Sequence, residues 1–168
     1  MNLVLLRHAT RSSVLEFGST ESSLNVTGLA QASDLIQHVQ PQGELPSPST
    51  LFSSPKLRAR QTLEPLSQAL PLKIHILSDL DERRENESLS KFERRVRDVI
   101  DFTLTLPDPE TVYLCTHLDV LEAAALLWPT NFTERESATP WSTLEYQVFK
   151  RVDGILQSGL RGRVEPRR

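Results

Sequence analysis

A chain of 168 residues, 38% hydrophobic and 24% charged, has enough apolar material for one ordinary core and is not a disordered coil by composition. Its net charge of −3 is uneven: the last eight residues carry four Arg and one Glu, and setting these aside from the 19 basic and 22 acidic residues leaves 15 and 21, a body near −6. That balance speaks against nonspecific nucleic-acid binding, the single Cys115 excludes an intrachain disulfide, and no apolar run approaches the roughly 20 residues of a membrane span.

Leu3-Val4-Leu5-Leu6 is a short aliphatic run and reads as a buried strand. It begins with no charged leader before it, so a cytoplasmic location is expected. The strand ends in Arg7-His8, and a long polar loop follows, Ala9 to Asn25. Leu29, Ala32, Leu35, Ile36 and Val39 share one helical face, which predicts a helix over Gly28–Val39. Pro41, Gly43, Pro46 and Pro48 mark a surface loop, and Thr50–Ser53 is a second strand. Ser54-Pro55 reads as an N-cap with proline in the first helical position. The helix it opens reaches Leu70, with Pro65 expected to kink or shorten it.

Leu72–Leu77 is a third strand, and Asp79–Glu87 a charge-dense loop. Ser90-Lys91-Phe92-Glu93 has the form of a capping box. It opens an amphipathic helix with Phe92, Val96, Val99 and Ile100 inward, ended by Pro107 and Pro109. Val112–Thr116 is a strand with His117 at its end, and Leu118–Trp128 a buried helix. Leu144–Val152 alternates as a last strand, turning at Asp153-Gly154. Strands alternating with helices predict an α/β fold: a three-layer α/β/α sandwich, its central sheet mostly parallel, with helices on both faces. Residues 1–160 are expected to form one domain and residues 161–168 a flexible basic tail.

In a parallel sheet the ends of strands 3–6, 50–53 and 112–116 lie on one edge, where open α/β sheets bind ligands. That edge gathers Arg7, His8, Arg58 and His117, two cations and two imidazoles suited to a phosphate dianion. A helix N-terminus near Ser54 adds backbone donors. Taken singly, a histidine at a strand end is an ordinary hydrogen-bonded residue, and Arg58 an ordinary helix arginine. Arg11 and Arg60 read as surface residues. The four histidines and Cys115 lack metal-ligand spacing, so neither a metal nor a cofactor is expected.

Four segments carry a family resemblance. Leu5-Leu6-Arg7-His8-Ala9 resembles the Arg-His-Gly signature of the histidine phosphatase superfamily, the phosphoglycerate-mutase-like fold. Leu24 to Ala32 is similar to its Leu-Thr-x-x-Gly-x-x-Gln-Ala segment, and Ser53 to Thr62 to its Ser-Ser-Pro-x-x-Arg-Ala-x-Gln-Thr motif. Leu114-Cys115-Thr116-His117 resembles its second-histidine strand. The resemblance implies that His8 is the nucleophile and forms a phosphohistidine. It implies that Arg7, Arg58 and His117 hold the phosphoryl oxygens, with the arginines lowering the pKa of His8.

Leu80-Asp81-Glu82-Arg83 resembles the Leu-Asn-Glu-Arg of the mutases, which implies Glu82 as proton donor, with Glu85 as the substitute. Read from composition alone, Glu82 belongs to a solvated charge cluster. The sequence departs from the pattern at Ala9 and at Leu118, where glycine is common. Leu118 and the short length resemble the SixA-like phosphohistidine phosphatases, which mostly lack a clear acid. Imidazole leaves phosphorus readily, whereas an alkoxide needs a proton. Leu118 thus points to a phosphohistidine protein and Glu82 to a phosphorylated small molecule. The expected function is a phosphatase working through phosphohistidine on His8, without nucleic-acid or membrane partners. The alternatives are phosphoglycerate-mutase-type transfer and a catalytically weak module that binds phospho-ligands.

Overall fold

Leu3, Val4, Leu5 and Leu6 are all fully buried, because β1 (Asn2–Arg7) runs through the middle of a sheet covered on both faces. The computed structural model describes residues 1–15, 21–39, 43–107, 110–128, 140–153 and 155–164. Parts of two expected loops (16–20 and 129–139), Pro41, Pro109, Gly154 and residues 165–168 of the expected tail lie outside the described residues. The other elements are α1 (Val26–Val39), β2 (Thr50–Ser53), α2 (Leu57–Ala69), β3 (Ile74–Ile76), α3 (Leu89–Thr105), β4 (Thr111–Thr116), α4 (Leu118–Leu127), β5 (Glu145–Val152) and β6 (Ile155–Arg163). A single 3-10 turn, Ser78–Leu80, follows β3.

The strands are ordered β3-β2-β4-β1-β5-β6. The pairs from β3 to β1 are parallel, and β5 and β6 are added antiparallel. The expected three-layer α/β fold is what forms, with a sheet parallel over four strands and antiparallel at one side. Alternation along β1 splits the core in two. Leu3 and Leu5 pack with Phe92, Val96, Ile100, Val120 and Leu121 of α3 and α4. Val4 and Leu6 pack with Ala32, Leu35, Ala59, Leu63 and Leu66 of α1 and α2. Trp128 and Trp141 cap the first of these cores; the Trp128 indole donates to the Val96 carbonyl (3.0 Å) and stands edge-on to Phe149.

Several boundaries differ from expectation. Helix α1 starts two residues early, because Asn25 caps it, its Oδ1 accepting from Gly28 N (2.8 Å). Helix α2 starts at Leu57 with Lys56 at the cap, two residues later than Ser54-Pro55 suggested. The Ser54 hydroxyl is engaged instead with His117 (2.7 Å). Pro65 sits inside α2 without ending it. Burial of Leu63 and Leu66 on either side offsets the missing backbone bond, a loss of about 3 kcal/mol. Helix α3 is capped by Ser88, not Ser90: the Ser88 side chain accepts from Lys91 N.

Strand β6 was not legible. It follows the expected turn at Asp153, over residues given no element and the start of the expected flexible tail, pairs Glu145 with Arg163, and is followed by the fully buried Val164. Arg161 belongs to this structure too, stacked 4.1 Å above the Trp141 ring and paired with Glu145 (2.6 Å). Gly162 faces Tyr146 across the ladder, and a Cβ there would lie 2.5 Å from the Tyr146 hydroxyl. Among the described residues no helix is long and apolar enough to cross a membrane.

Gly28 fixes the loop that follows β1. A Cβ at this position would stand 1.9 Å from the Thr10 carbonyl oxygen, a backbone atom that cannot swing away. Gly28→Ala is therefore expected to destabilise the fold by about 1–3 kcal/mol. Urea unfolding checks this, and an unchanged midpoint would contradict the contact.

Candidate active site

Strands β2, β4 and β1 are neighbours and parallel, so their carboxyl ends meet. The ladder continues past them: His8 N donates to Thr116 O and Ser54 N to Cys115 O, both at 3.0 Å. Arg7, His8, Ser54 and His117 are thereby carried to one edge on backbone that cannot slip. Helix α2 begins beside them and contributes Arg58 from its first turn; His117 caps α4. The cleft they enclose is about 260 Å³ and is lined by Arg7, His8, Arg11, Arg58, Glu82, His117, Leu118, Asp119 and Glu122. A larger cavity, about 790 Å³, opens near the amino ends of β1 and β2. Its lining is mainly aliphatic, with Ile36, Val39, Leu45 and Leu66, and holds none of the histidines or arginines.

His8 is almost fully buried. Its Nδ1 lies 2.7 Å from the Ala9 carbonyl oxygen. A carbonyl only accepts, so Nδ1 carries the proton and Nε2 keeps its lone pair. Arg58 Nε donates toward that Nε2 at 3.3 Å. The His8 pKa falls to about 4: burial is the main cause, and Arg58, Arg7 and Arg11 add to it against the pull of the Ala9 carbonyl. The arginines thus act in the expected direction, but burial acts more strongly. His117 falls to about 2, again through burial first and then Arg58. Its Nδ1 faces Arg58 Nη2 (3.3 Å) and its Nε2 the Ser54 hydroxyl (2.7 Å), with the two imidazole centroids 5.3 Å apart.

Arg58 is buried and joins three groups. Besides the two histidines, its Nη2 pairs with Glu82 Oε2 at 2.6 Å. The Glu82 side chain is 43% exposed, so it faces both the arginine and the open mouth. Glu85 is exposed and is not part of the cleft lining. Arg7 Nη1 donates to the Trp141 carbonyl, while its buried Nε has no partner among the described residues. Ala9 is fully buried, and its N–H donates to Thr62 Oγ1 (2.9 Å). Positive φ at non-glycine residues is confined to Pro71, Leu144 and Asp153 among the described residues, so Ala9 in place of glycine carries no backbone strain.

The sequence reading missed several neighbours. Arg11 is exposed, as expected of a surface residue, but also lines the cleft, as do Asp119 and Glu122 of α4. Ser54 was read as a helix cap, although it stands within the motif that flagged Arg58. Asp81 is buried, with its Oδ1 3.8 Å from His117 Nε2, and burial raises its pKa.

Two imidazoles set among arginines at the strand ends of an α/β sheet could receive an anion beside the His8 Nε2, which Arg58 Nε already faces at 3.3 Å. The comparisons agree with that reading. The histidine phosphatase superfamily (branch 1) matches residues 3–85. The amino-terminal half of the chain is thus similar to this superfamily. Its fold resembles an alpha-ribazole phosphatase from Shigella flexneri (TM-score 0.76, 16% identity, 96% of each chain covered). It also resembles a phosphoserine phosphatase from Entamoeba histolytica (0.72, 14%, 95% of each). A third is a candidate SixA phosphohistidine phosphatase from Agrobacterium tumefaciens (0.67, 18%, 95% of this chain and 96% of that one). No curated protein matches the sequence.

Holding two histidines uncharged makes folding pH-dependent. In the unfolded chain both take a proton near pH 6.5, whereas in the folded protein His8 resists to about 4 and His117 to about 2. The unfolded state therefore binds more protons below pH 6.5, and stability falls as pH drops from about 6.5 toward 4. His117→Asn is expected to flatten that fall, read as the urea midpoint at several pH values. An identical pH slope in the variant would show that His117 is not held neutral by the fold.

Proposed function

We propose that the protein is a phosphatase that passes the phosphoryl group of a small phosphomonoester to His8 and then to water. One observation carries this reading: the Ala9 carbonyl holds the Nδ1 proton of His8, which leaves the Nε2 lone pair beside Arg58. An imidazole so fixed is uncharged and oriented, as a nucleophile must be. In the first step Nε2 attacks phosphorus while the bond to the leaving oxygen breaks. Arg7, Arg58 and His117 surround the phosphoryl oxygens and stabilise their charge. Arg7 Nε, without a partner among the described residues, gains an acceptor. In the second step water attacks phosphorus, the P–N bond breaks, and the electron pair returns to Nε2.

Glu82 supplies the proton for the leaving oxygen on this reading. In the free protein its carboxylate lies on Arg58 at 2.6 Å, where a phosphoryl oxygen would bind. A dianion entering the cleft takes over Arg58 and leaves Glu82 beside negative charge. The protonated acid then donates to the leaving oxygen, and the carboxylate takes a proton from the attacking water. A protein phosphohistidine is the second reading, favoured by Leu118, which lines the cleft where a smaller residue would leave it wider.

The reading is tested with a substrate panel. Acid-stable trapping is unsuitable for a phosphohistidine, so the labelled protein is quenched in alkali after mixing with an aryl phosphate. Label is expected on the wild type and none on His8→Ala, which should lose turnover entirely. Binding of phosphate without label would identify a binding module instead. Glu82→Gln is expected to slow hydrolysis of alkyl phosphates by about 10²-fold or more and to spare a phosphohistidine protein. Equal rates on both substrates with and without Glu82 would remove it from the mechanism.

A further inference from the structure

We propose that Arg95 is the positioning residue for Glu82, holding the backbone on which the acid stands. The inference rests on the reading of Glu82 given above. Arg95 lies on the inner face of α3 and its side chain is only 8% exposed. It does not line the cleft, so it cannot touch a substrate. Its guanidinium reaches instead into the segment between β3 and α3. Nη1 donates to the carbonyls of Asp79 (2.8 Å) and Asp81 (2.7 Å), and Nη2 reaches the carbonyl of Glu82 itself (3.3 Å). Nε and Nη2 also engage both oxygens of Glu87, at 2.9 and 2.6 Å.

A segment without regular structure has carbonyls with no ladder to join. Here one planar fork gathers them from both sides of the peptide before Glu82. The fork geometry is particular to arginine, since a lysine ammonium cannot present parallel donors. Glu87 completes the clamp: its carboxylate balances the guanidinium charge, and the Arg95 hydrogen bond in turn holds the Glu87 pKa down to about 2. The following residue is pinned independently, Arg83 N donating to Asp119 Oδ2 at 2.6 Å. The backbone is therefore fixed immediately before and after Glu82, and only its side chain is free to leave Arg58 and meet a leaving group. A proton donor works only within hydrogen-bond reach, so a loosened backbone spreads the carboxyl over positions that cannot react.

The discriminating readout is how the rate depends on the leaving group. Protonation matters greatly for an alkyl alkoxide and little for an acidic phenolate. The rate of His8 phosphorylation is measured for an alkyl phosphate and for 4-nitrophenyl phosphate in wild type, Arg95→Met, Arg95→Lys and Glu82→Gln. Arg95→Met is expected to lose about 10-fold or more on the alkyl ester and only a few-fold on the nitrophenyl ester. Arg95→Lys should fall between, and adding Glu82→Gln to Arg95→Met should cost little further. The ratio of the two rates does not depend on what fraction of a preparation is folded, so partial misfolding of a variant leaves the test intact. Equal losses on both esters, or no loss, would overturn the positioning role. If the wild type forms no phosphohistidine with either ester, the phosphatase reading itself falls and takes this inference with it.

Discussion

The cleft depends on the placement of one guanidinium. Arg58 faces His8 Nε2, His117 Nδ1 and Glu82 Oε2 at 3.3, 3.3 and 2.6 Å, so one side chain touches groups from the ends of β1 and β4 and from the loop after β3 at once. Its own position follows from the late start of α2. Ser54 turns its hydroxyl to His117, Lys56 takes the cap, and the helix then begins with Arg58 already inside the sheet edge. A helix started at Pro55, as local sequence chemistry favours, would present Arg58 about two residues, or roughly 200° of helix rotation, away from this direction. The side chain is 8% exposed, and it pairs with Glu82, which is 43% exposed. A cation buried in this way is suited to receiving an anion.

Burial and charge act together on the histidines. Burial alone would make each imidazole neutral; the arginines deepen the effect without being its main source. The distinction matters for what the site tolerates. A nucleophile kept neutral only by adjacent cations would gain protons whenever a bound dianion cancelled them. On the proposed reading, desolvation would continue to disfavour the imidazolium after a phosphoryl group arrived. The Ala9 carbonyl then decides which nitrogen is free, and Thr62 and Gly28 hold that carbonyl's segment in place from α2 and α1.

What the sequence could and could not convey divides along physical lines. The strand ends Arg7-His8 and Thr116-His117 were legible because a run of aliphatic residues and a sudden polar pair leave little choice of geometry. The layering followed from strand and helix alternation. Strand β6 was hidden because Gly159 and Gly162 dilute its pattern and because its arginines read as solvated. The partners of Arg161, Trp141 and Glu145, are brought to it by the sheet. Arg95 was hidden for a related reason. On a helical wheel it is one charge among several on α3, and its partners are main-chain carbonyls, which no side-chain pattern announces. The helix starts failed more narrowly: Ser54 is drawn off by a tertiary hydrogen bond to His117, whereas Ser88 and Ser90 offer the same capping chemistry and the local bond from Lys91 N falls to Ser88.

On the proposed reading, the Glu82–Arg58 contact also bears on what the enzyme would accept. With the cleft empty the carboxylate occupies a phosphate-oxygen position, so substrate binding must break a charged pair at 2.6 Å. The pair is half open to water, which keeps that cost small. A dianion that takes over Arg58 releases the Glu82 side chain toward the leaving oxygen. A phosphohistidine substrate gains little from such an arrangement, because its leaving imidazole needs no strong acid. The clamp at Arg95 would then restrain a side chain with no work in the first step, and five donor contacts spent on an idle loop are harder to account for than the same contacts holding a proton donor in reach. The packing of α3 against this loop therefore weighs toward an ester, and it does so independently of the residues that touch the phosphoryl group.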